Sequence, residues 1–305
     1  MKPETTKERI DELLEYDNGR LFRHHLKNTI AGLSDAFDET KDELRSHLGA
    51  SLIGDPCARK LWLTFRFATS TKTGARLIRL FNRGHLEEAR FEALLRMIGC
   101  EIWTHDANGK QFRFRDCGGH FCGSLDAVVR GIPECPNIPV LCEFKTHNDK
   151  SFQKLEEGGV LSSKEQHWVQ MQVYMKEFGL TKALYMAVNK NNDELYTEII
   201  SANPEIAQKY IDRANKIIFS ENMPPKLNES PGWWQCRFCF AHDFCHLGIR
   251  FKFPYRTCRP CAYLYAVDGG WECRKDFIPQ PRTFEEQLRP CKRFRMNPWL
   301  KGCEI

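Results

Sequence analysis

The sequence is long enough to form a substantial folded core, and its composition excludes two broad classes of protein. It contains 305 residues, of which 42% are hydrophobic and 28% are charged, as in globular proteins rather than disordered chains. No run of about 18 apolar residues occurs, so we expect no membrane-spanning segment. The formal charge of +5 is compatible with a polyanionic partner but is too small to identify one.

The N-terminus and the cysteines together indicate the compartment and the use of the thiols. The opening residues contain no apolar stretch of the kind found in secretory signals, so we expect an intracellular, cytoplasmic protein. In that compartment the fourteen cysteines are kept mostly reduced, and close spacing there indicates metal ligation before disulfides. Five cysteines without ligand-like spacing are expected to be buried or free thiols. These are Cys100, Cys117, Cys122, Cys135 and Cys142.

The first hundred residues have mainly helical periodicity. A helix is predicted from Thr5 to Tyr16 behind threonine caps, and a second from Leu21 to about Leu48. Leu61 to Leu63 and Leu77 to Phe81 mark further helices that we expect to pack on a core. Gly84 to Ile98 has the pattern of one continuous amphipathic helix.

Beyond residue 120 the pattern alternates between strand and helix, which predicts an α/β core. Strands are predicted at Phe121 to Val129, Val140 to Lys145, Ala183 to Val188 and Glu194 to Ile200. Helices are predicted at Ser163 to Phe178, capped by Gly179, and at Pro204 to Phe219.

The chain after Met223 differs in composition from the part before it. It is rich in proline, aromatic residues and cysteine, and it has few periodic aliphatic residues, so we expect metal ions to organise it. The sequence therefore predicts three parts. They are an N-terminal helical region at 1–50, a core at 51–250 closed by a four-cysteine cluster, and a small zinc-binding module at 251–305.

Two acidic residues and a lysine follow apolar runs that predict buried strands. The two-residue period of a strand places Glu143 and Lys145 on one face, with Cys142 and Phe144 on the other. A neighbouring strand can bring Asp126 beside Glu143. Two such carboxylates suit Mg²⁺ or Mn²⁺, which activates water and neutralises phosphate charge, while Lys145 orients the nucleophile or stabilises the transition state. Glu-x-Lys alone is common on solvated strands, but the apolar residues before it favour a site.

These residues form part of an ordered series that resembles the RecB-type nucleases of the PD-(D/E)xK superfamily, particularly those encoded by bacteriophages. The series is Gly84-His85-Leu86-Glu87-Glu88, Gly123-Ser124-Leu125-Asp126, Glu143-Phe144-Lys145 and Gln170-Met171-Gln172-Val173-Tyr174. The resemblance implies a restriction-endonuclease-like α/β core, in which helices flank a central mixed sheet. The sequence departs from the family pattern in having no proline before Asp126.

The resemblance also implies roles for individual residues of these motifs. Asp126 and Glu143 are expected to bind the metal, and Lys145 to be catalytic. Gln170 and Tyr174 match the Gln-x-x-x-Tyr motif of the family and lie four residues apart, on one face of a helix. They are therefore included among the catalytic candidates.

The preceding helix is expected to add a third carboxylate to the site. The resemblance implies that either Glu87 or Glu88 supplies it, and we favour Glu88 because its spacing from Gly84 fits the family pattern better. His85 resembles a histidine that some relatives use near the metal, and a structural role for it is equally well supported.

A first group of cysteines has the spacing C-x2-C-x5-C: Cys236, Cys239 and Cys245. Three thiolates need a fourth ligand for a tetrahedral or cubane site, and the upstream Cys57 is the candidate. One distant cysteine followed by such a trio resembles the iron–sulfur nuclease subgroup, which implies a [4Fe-4S] cluster. Zinc is the alternative, and His242 or His246 can then replace Cys57 in a local site.

A second group of cysteines lies near the C-terminus: Cys258, Cys261, Cys273 and Cys291. C-x2-C followed by two single cysteines fits a small zinc module, in which the ion replaces a hydrophobic core. Cys303 is an alternative fourth ligand. A second alternative is that only Cys258 and Cys261 belong to an irregular site.

These observations predict a DNA-binding enzyme. Three basic groups can line a phosphate track, although such groups more often form solvated faces. They are Arg59, Lys60 and Arg66; Arg76, Arg79 and Arg83; and Arg289, Lys292, Arg293 and Arg295. Aromatic residues interleaved with the first cysteine group, such as Trp233 and Trp234, can stack on unpaired bases or pack around the metal.

We therefore expect a Mg²⁺- or Mn²⁺-dependent deoxyribonuclease. An exonuclease or an end-processing enzyme fits better than a restriction enzyme, because no residue indicates base-specific reading. Its expected context is DNA recombination, replication or phage genome processing, with a possible protein partner from those processes. The main alternative is a catalytically silent nucleic-acid-binding module with structural metals. A purely iron–sulfur redox protein has little support, since no second cofactor motif occurs.

Overall fold

Two units, each formed by separate stretches of chain, make up the fold. The structure is a computed structural model that describes residues 4–30, 44–68, 74–250, 257–289, 291–301 and 303. The first unit comprises Met1–Lys41, Gly74–Phe114 and Gly123–Ala207. The second unit comprises Asp42–Thr73, Arg115–Cys122 and Gln208–Ile305. The chain thus passes between the units several times.

The secondary structure is mixed α/β. The helices are α1 (Thr6–Asp17), α2 (Arg20–Ile30), α3 (Ala58–Phe65), α4 (Ala75–Met97), α5 (Asp149–Ser163), α6 (Glu165–Glu177), α7 (Pro204–Phe219), α8 (Trp234–Arg237) and α9 (Phe284–Gln287). The strands are β1 (Leu48–Gly49), β2 (Glu101–Trp103), β3 (Arg113–Asp116), β4 (Phe121–Ser124), β5 (Ala127–Arg130), β6 (Val140–His147), β7 (Lys182–Asn189), β8 (Leu195–Ser201), β9 (Leu264–Val267), β10 (Gly270–Cys273) and β11 (Gln280–Arg282). In the part of the chain that the structure describes, no helix combines the length and the apolarity needed to cross a membrane.

A five-stranded mixed sheet with the order β2-β5-β6-β7-β8 forms the centre of the first unit. Strands β6 and β7 are parallel, and the other neighbours are antiparallel. Cys142 and Phe144 of β6 join the main hydrophobic core, where Phe144 stacks on Phe91 of α4 with ring centroids 5.0 Å apart. Successive strand residues face opposite sides, so Glu143 and Lys145 face away from this core, as predicted.

The N-terminal helix packs on the core of the first unit. Thr5 and Glu8 form the capping box that the threonine caps predict. The Thr6 amide and hydroxyl donate to Glu134 at 2.7 and 2.6 Å, and Ile10 is fully buried in the core. Helix α1 is therefore part of the packing of the first unit.

Most of the predicted helices and strands are confirmed, and two predictions are wrong. The described part of the second helix is Arg20–Ile30, and Leu48 belongs to strand β1 and not to a helix; residues 31–43 lie outside the described residues. The helix containing Leu77, Ile78 and Phe81 exists, but these side chains are 41%, 53% and 56% exposed and do not pack on a core.

Two further differences concern strand and helix limits. The predicted strand Phe121 to Val129 is interrupted at Leu125 and Asp126, which separate β4 from β5. Helix α5 was not predicted, and its Gly159 has a positive φ of 67° that kinks it. Glycine tolerates this conformation without a steric penalty, whereas two adjacent glycines weaken the helical pattern in the sequence.

The second unit contains a three-stranded antiparallel sheet with the order β11-β10-β9. Arg259 is fully buried beside it, with its guanidinium carbon 3.9 Å from the centre of the Trp271 ring. It donates to Gln287 Oε1 at 2.5 Å, the Phe65 carbonyl at 2.9 Å and the Ser46 carbonyl at 2.7 Å. One planar cation thus joins separate segments of this unit, and burial lowers its pKa well below the usual range.

Replacing Arg259 with lysine tests this link. Lysine keeps the charge but cannot reproduce the planar fork, so buried acceptors lose their donors and we expect a loss of about 3 kcal/mol in unfolding free energy. The control is Arg274→Lys, because Arg274 lies 4.4 Å from the Tyr265 ring but is 44% exposed. Urea unfolding should place the control within about 0.5 kcal/mol of wild type. Equal effects for both variants would contradict the proposed role.

Candidate active site

Asp126 lies at the break between β4 and β5, next to the centre of β6. Ala127 is paired with Cys142 in the antiparallel register of β5 and β6, so the next position along places Asp126 opposite Glu143. The backbone N–H of Phe144 donates to Asp126 Oδ2 at 2.8 Å. The structure therefore brings together the two carboxylates that the strand pattern predicts to be neighbours.

Glu143 is a fully buried carboxylate held by two other predicted residues. Lys145 forms an ion pair with its Oε1, and Gln170 Nε2 donates to its Oε2 at 3.0 Å. Lys145 also donates to the Phe144 carbonyl at 3.1 Å. Each carboxylate oxygen of Glu143 thus has its own donor, which fixes the orientation of the side chain.

The acidic site contains more acidic than basic side chains in a poorly solvated place. Burial raises the pKa of Asp126 well above its usual range, and the nearby charge of Glu143 raises it further. Burial also raises the pKa of Glu143, against the opposing effect of Lys145. Burial acts to lower the pKa of Lys145, but the charges of Glu143 and Asp126 outweigh it and raise that pKa. One ammonium does not balance these carboxylates.

The two candidate glutamates of α4 have different surroundings. Glu88 lies close enough for its charge to raise the pKa of both Asp126 and Glu143. His85 Nδ1 is 3.2 Å from Glu88 Oε1, so the histidine contacts this third carboxylate. Glu87 is buried elsewhere on the helix and pairs with Arg90 at 3.4 Å. The geometry therefore favours Glu88 as the third acid.

Tyr174 packs against the glycine of the Gly-Ser-Leu-Asp motif. It is 3% exposed, and its ring meets Phe114 edge-to-face with centroids 5.8 Å apart. A Cβ atom at Gly123 would lie 2.4 Å from Tyr174 Cε1 and 2.7 Å from Phe114 Cε1. Only glycine therefore leaves room for Tyr174 beside this strand, whereas Gln170 contacts Glu143 directly.

Alanine substitution at two motif glycines tests this packing. Gly123→Ala forces the two rings to move, and we expect it to destabilise the protein by about 1–3 kcal/mol. Gly84→Ala is the matched control, because Gly84 lies inside α4 and a Cβ atom added there would meet nothing within 4 Å. Helix propensity predicts that this control is neutral or stabilising by up to about 1 kcal/mol. Similar urea-unfolding midpoints for the two variants would refute the steric account.

The first cysteine group lies in the second unit. Burial is the main cause of the raised pKa of Cys239. Cys57 and Cys245 raise it further, which means that both sulfurs lie near that of Cys239. Cys236 precedes Cys239 by one turn, and the Cys239 amide donates to its carbonyl at 3.0 Å. Both ring nitrogens of His242 have hydrogen-bond partners. Nδ1 lies 2.8 Å from Asp243 Oδ1, and Nε2 lies 3.1 Å from the Pro231 carbonyl oxygen. Cys57 therefore stays the candidate fourth ligand, and His242 already has two hydrogen-bond partners.

The four cysteines of the second group line a single cavity of about 210 Å³. The Cys258 thiol and the Cys261 sulfur are hydrogen-bonded, which raises the pKa of Cys258 and lowers that of Cys261 to about 6. Cys273 and Cys291 complete the lining, and Cys303 is not part of it. All four cysteines of this group therefore line the same cavity.

The donors match the expected metals in chemistry, although their present positions are not those of bound ligands. Among the residues described, no three or more His, Cys, Asp or Glu side chains are arranged so that they could hold a metal ion as they stand. A buried excess of carboxylate charge nevertheless suits a hard divalent cation, and four thiols around one cavity suit zinc. The metals themselves stay predictions.

Three polar residues beside the site were not identified by the sequence analysis. His147 Nε2 lies 2.8 Å and His167 Nδ1 lies 2.9 Å from the hydroxyl of Tyr185. His147 continues the two-residue period beyond Lys145, and His167 precedes Gln170 by one helical turn. These spacings are the signals that point to the two histidines, whereas Tyr185 joins them only through the pairing of β6 with β7.

Comparisons with known proteins give distant structural likenesses only. No protein-family model and no curated protein matches the sequence. The chain is similar to the alkaline exonuclease LHK-Exo from Laribacter hongkongensis in complex with dAMP, with 15% identity, a TM-score of 0.41, and coverage of 56% of this chain and 86% of that one. It is also similar to a phage-related exonuclease from Haemophilus somnus 129PT, with 15% identity, a TM-score of 0.38, and coverage of 52% and 78%. Likenesses this distant do not determine the activity of this chain, so we infer it from the chain's own residues.

Proposed function

We propose that this protein is a divalent-metal-dependent DNA nuclease. The observation that carries the proposal is the fully buried Glu143, placed beside Asp126 and paired with Lys145. An isolated buried carboxylate is costly, and a pair of them costs more unless a cation compensates the charge. A site that keeps this arrangement is better suited to binding a cation and a phosphate than to stabilising the fold.

The residues around this site fit a hard divalent ion. Asp126 and Glu143 would hold Mg²⁺ or Mn²⁺, with Glu88 as a third carboxylate and His85 beside it. When bound, such an ion lowers the pKa of water and neutralises charge that develops on a phosphate. Lys145 supplies a positive charge for a phosphate oxygen or for the attacking water, and Gln170 keeps Glu143 oriented.

The proposed substrate is DNA, attacked without base-specific reading. We propose an exonuclease or end-processing activity in recombination, replication or phage genome processing. The RecB-type resemblance of the motifs supports this assignment. The alternative, a catalytically silent nucleic-acid-binding module, differs in one measurable property, because it binds DNA but does not cleave it.

Substitutions at the carboxylates and the lysine test the enzyme directly. Asp126→Asn and Lys145→Met should each lower Mg²⁺-dependent degradation of labelled DNA by at least about 10²-fold, because the first removes a proposed metal ligand and the second removes the positive charge beside the reacting phosphate. Single- and double-stranded substrates with free and blocked ends should be compared, since an exonuclease requires a free end. Wild-type protein that binds DNA but cleaves none of these substrates would support the silent module instead.

The neighbouring glutamates of α4 provide an internal control. Glu88→Gln should reduce the cleavage rate and raise the Mg²⁺ concentration needed for half-maximal rate, because it removes one carboxylate from the site. Glu87→Gln, one residue away and paired with Arg90, should leave both quantities within about twofold of wild type. The reverse order of effects would show that the third carboxylate has been assigned to the wrong residue.

We further propose that the cysteine groups hold different metals. Cys57, Cys236, Cys239 and Cys245 are assigned a [4Fe-4S] cluster, on the resemblance of their spacing to the iron–sulfur nucleases. Cys258, Cys261, Cys273 and Cys291 are assigned zinc. Their convergence on one cavity supports this assignment. Both metal sites would link segments of the second unit that bury few aliphatic side chains, and would thereby stabilise their fold.

Metal analysis of anaerobically purified protein separates these assignments. Wild type should be brown and contain about four iron atoms and about one zinc per chain. Cys57→Ser should lose iron but keep zinc, whereas Cys273→Ser should lose zinc but keep iron and the visible absorbance. Colourless protein with zinc at both sites would overturn the cluster assignment.

A further inference from the structure

A hydrogen-bonded row of three side chains extends from the proposed active site. Tyr185 is fully buried and its hydroxyl lies between His147 Nε2 and His167 Nδ1, at 2.8 and 2.9 Å. The other nitrogen of His147, Nδ1, is 3.2 Å from the hydroxyl of Ser151. The two imidazole rings and the phenol ring are nearly parallel, with interplanar angles of 23° to 25°.

This row lies on the same face of the sheet as the catalytic candidates. His147 follows Lys145 by two residues on β6, and Tyr185 is paired with Glu143 in the register of β7. His167 lies one helical turn before Gln170, which contacts Glu143. Burial is the main cause of the lowered pKa of both histidines. For His167 the charge of Lys145 is the second cause, and for His147 it comes third, after the charge of Lys164.

The positions of the protons in this row determine which nitrogen of His167 carries an N–H. Burial lowers the pKa of His147 to about 4 and that of His167 to about 3, so each ring is neutral at pH 7 and carries one N–H. Tyr185 has a single proton and must donate to one histidine while it accepts from the other. If the Ser151 hydroxyl donates to His147 Nδ1, then His147 Nε2 donates to Tyr185, and Tyr185 donates to His167 Nδ1.

In this arrangement the only remaining N–H of the row is on His167 Nε2. Within the described ranges, His167 Nε2 makes no hydrogen bond and is not one of the buried polar atoms that lack a partner, so it is accessible to solvent. His167 also lies in the first turn of α6, whose cap residue Lys164 makes no side-chain cap. Helix N-termini favour anions, and the cations Lys145 and Lys164 act on the same ring. A neutral, oriented N–H donor near these two lysines is suited to a phosphate oxygen.

We propose that His167 binds a phosphate of the DNA strand next to the cleavage position, and that Tyr185 and His147 hold its ring in place. This inference rests on the proposed function, because it takes DNA as the ligand. The phosphate has two possible sources, an internal phosphodiester or a terminal 5′-phosphate. His167 acts through binding and not through proton transfer, since a ring with so low a pKa is a poor base.

Two amide substitutions at His167 distinguish this role from a structural one. The amide of glutamine reaches the position of Nε2, whereas that of asparagine replaces Nδ1 and so keeps the contact with Tyr185. The probe is a 3′-fluorescein-labelled single-stranded oligonucleotide in Ca²⁺, with or without a 5′-phosphate, and anisotropy reports the Kd. His167→Asn should weaken binding about tenfold, and His167→Gln should stay within about threefold of wild type. Lys176→Ala, at the far end of α6, is the control and should leave the Kd unchanged.

The same variants have a kinetic signature. His167→Asn should raise KM about tenfold with little change in kcat, because the contact is made equally in the ground state and the transition state. Tyr185→Phe, which removes only the hydroxyl, should shift Kd in the same direction by a smaller factor. Wild-type Kd and KM in His167→Asn, or a greater loss in His167→Gln than in His167→Asn, would overturn the proposal in favour of a structural role.

The experiment separates this proposal from the proposed nuclease activity. If wild type binds the oligonucleotide and His167→Asn weakens that binding, the phosphate contact is supported even when no DNA is cleaved in Mg²⁺. If wild type cleaves DNA and His167→Asn has normal Kd and KM, the nuclease stands and the phosphate contact fails. A loss seen only with the 5′-phosphorylated oligonucleotide assigns the contact to the terminal phosphate, and a loss with both assigns it to an internal one.

Discussion

The fully buried carboxylate of Glu143 is the constraint on which the rest of the site depends. A charge in this position requires compensation, and the chain supplies one ion pair from Lys145 and one hydrogen bond from Gln170. Asp126 adds a second acid across the strand pair, held by the Phe144 amide. Three different elements, β6, α6 and the break between β4 and β5, are thus fixed around a cation-deficient centre. This imbalance is costly for folding and useful for binding a metal ion.

Strand periodicity was sufficient to predict which side chains of β6 share a face. Alternation along β6 separates Cys142 and Phe144, which enter the core, from Glu143 and Lys145, which face the opposite side. Capping signals likewise located α1, and strong aliphatic patterns located β7, β8 and α7. These features are local, because the residues that determine each element lie within the element itself.

Features that depend on distant contacts could not be predicted from the sequence. Leu77, Ile78 and Phe81 have the pattern of a core-facing helix but remain exposed, since periodicity does not say which surface covers a helix. The row of His147, Tyr185 and His167 is assembled from β6, β7 and α6, and no linear motif contains it. The buried Arg259 is similar: its partners come from segments about 200 residues away, so a lone arginine between two cysteines gave no signal.

The central claim is that Asp126 and Glu143 share a divalent cation. The most direct measurement is a crystal structure of the protein grown with Mn²⁺, recorded at a wavelength where manganese scatters anomalously. We predict an anomalous peak about 2.1 Å from carboxylate oxygens of both residues, with Lys145 beside it. An Asp126 side chain turned away from Glu143, or anomalous density only elsewhere in the protein, would contradict the assignment of this site.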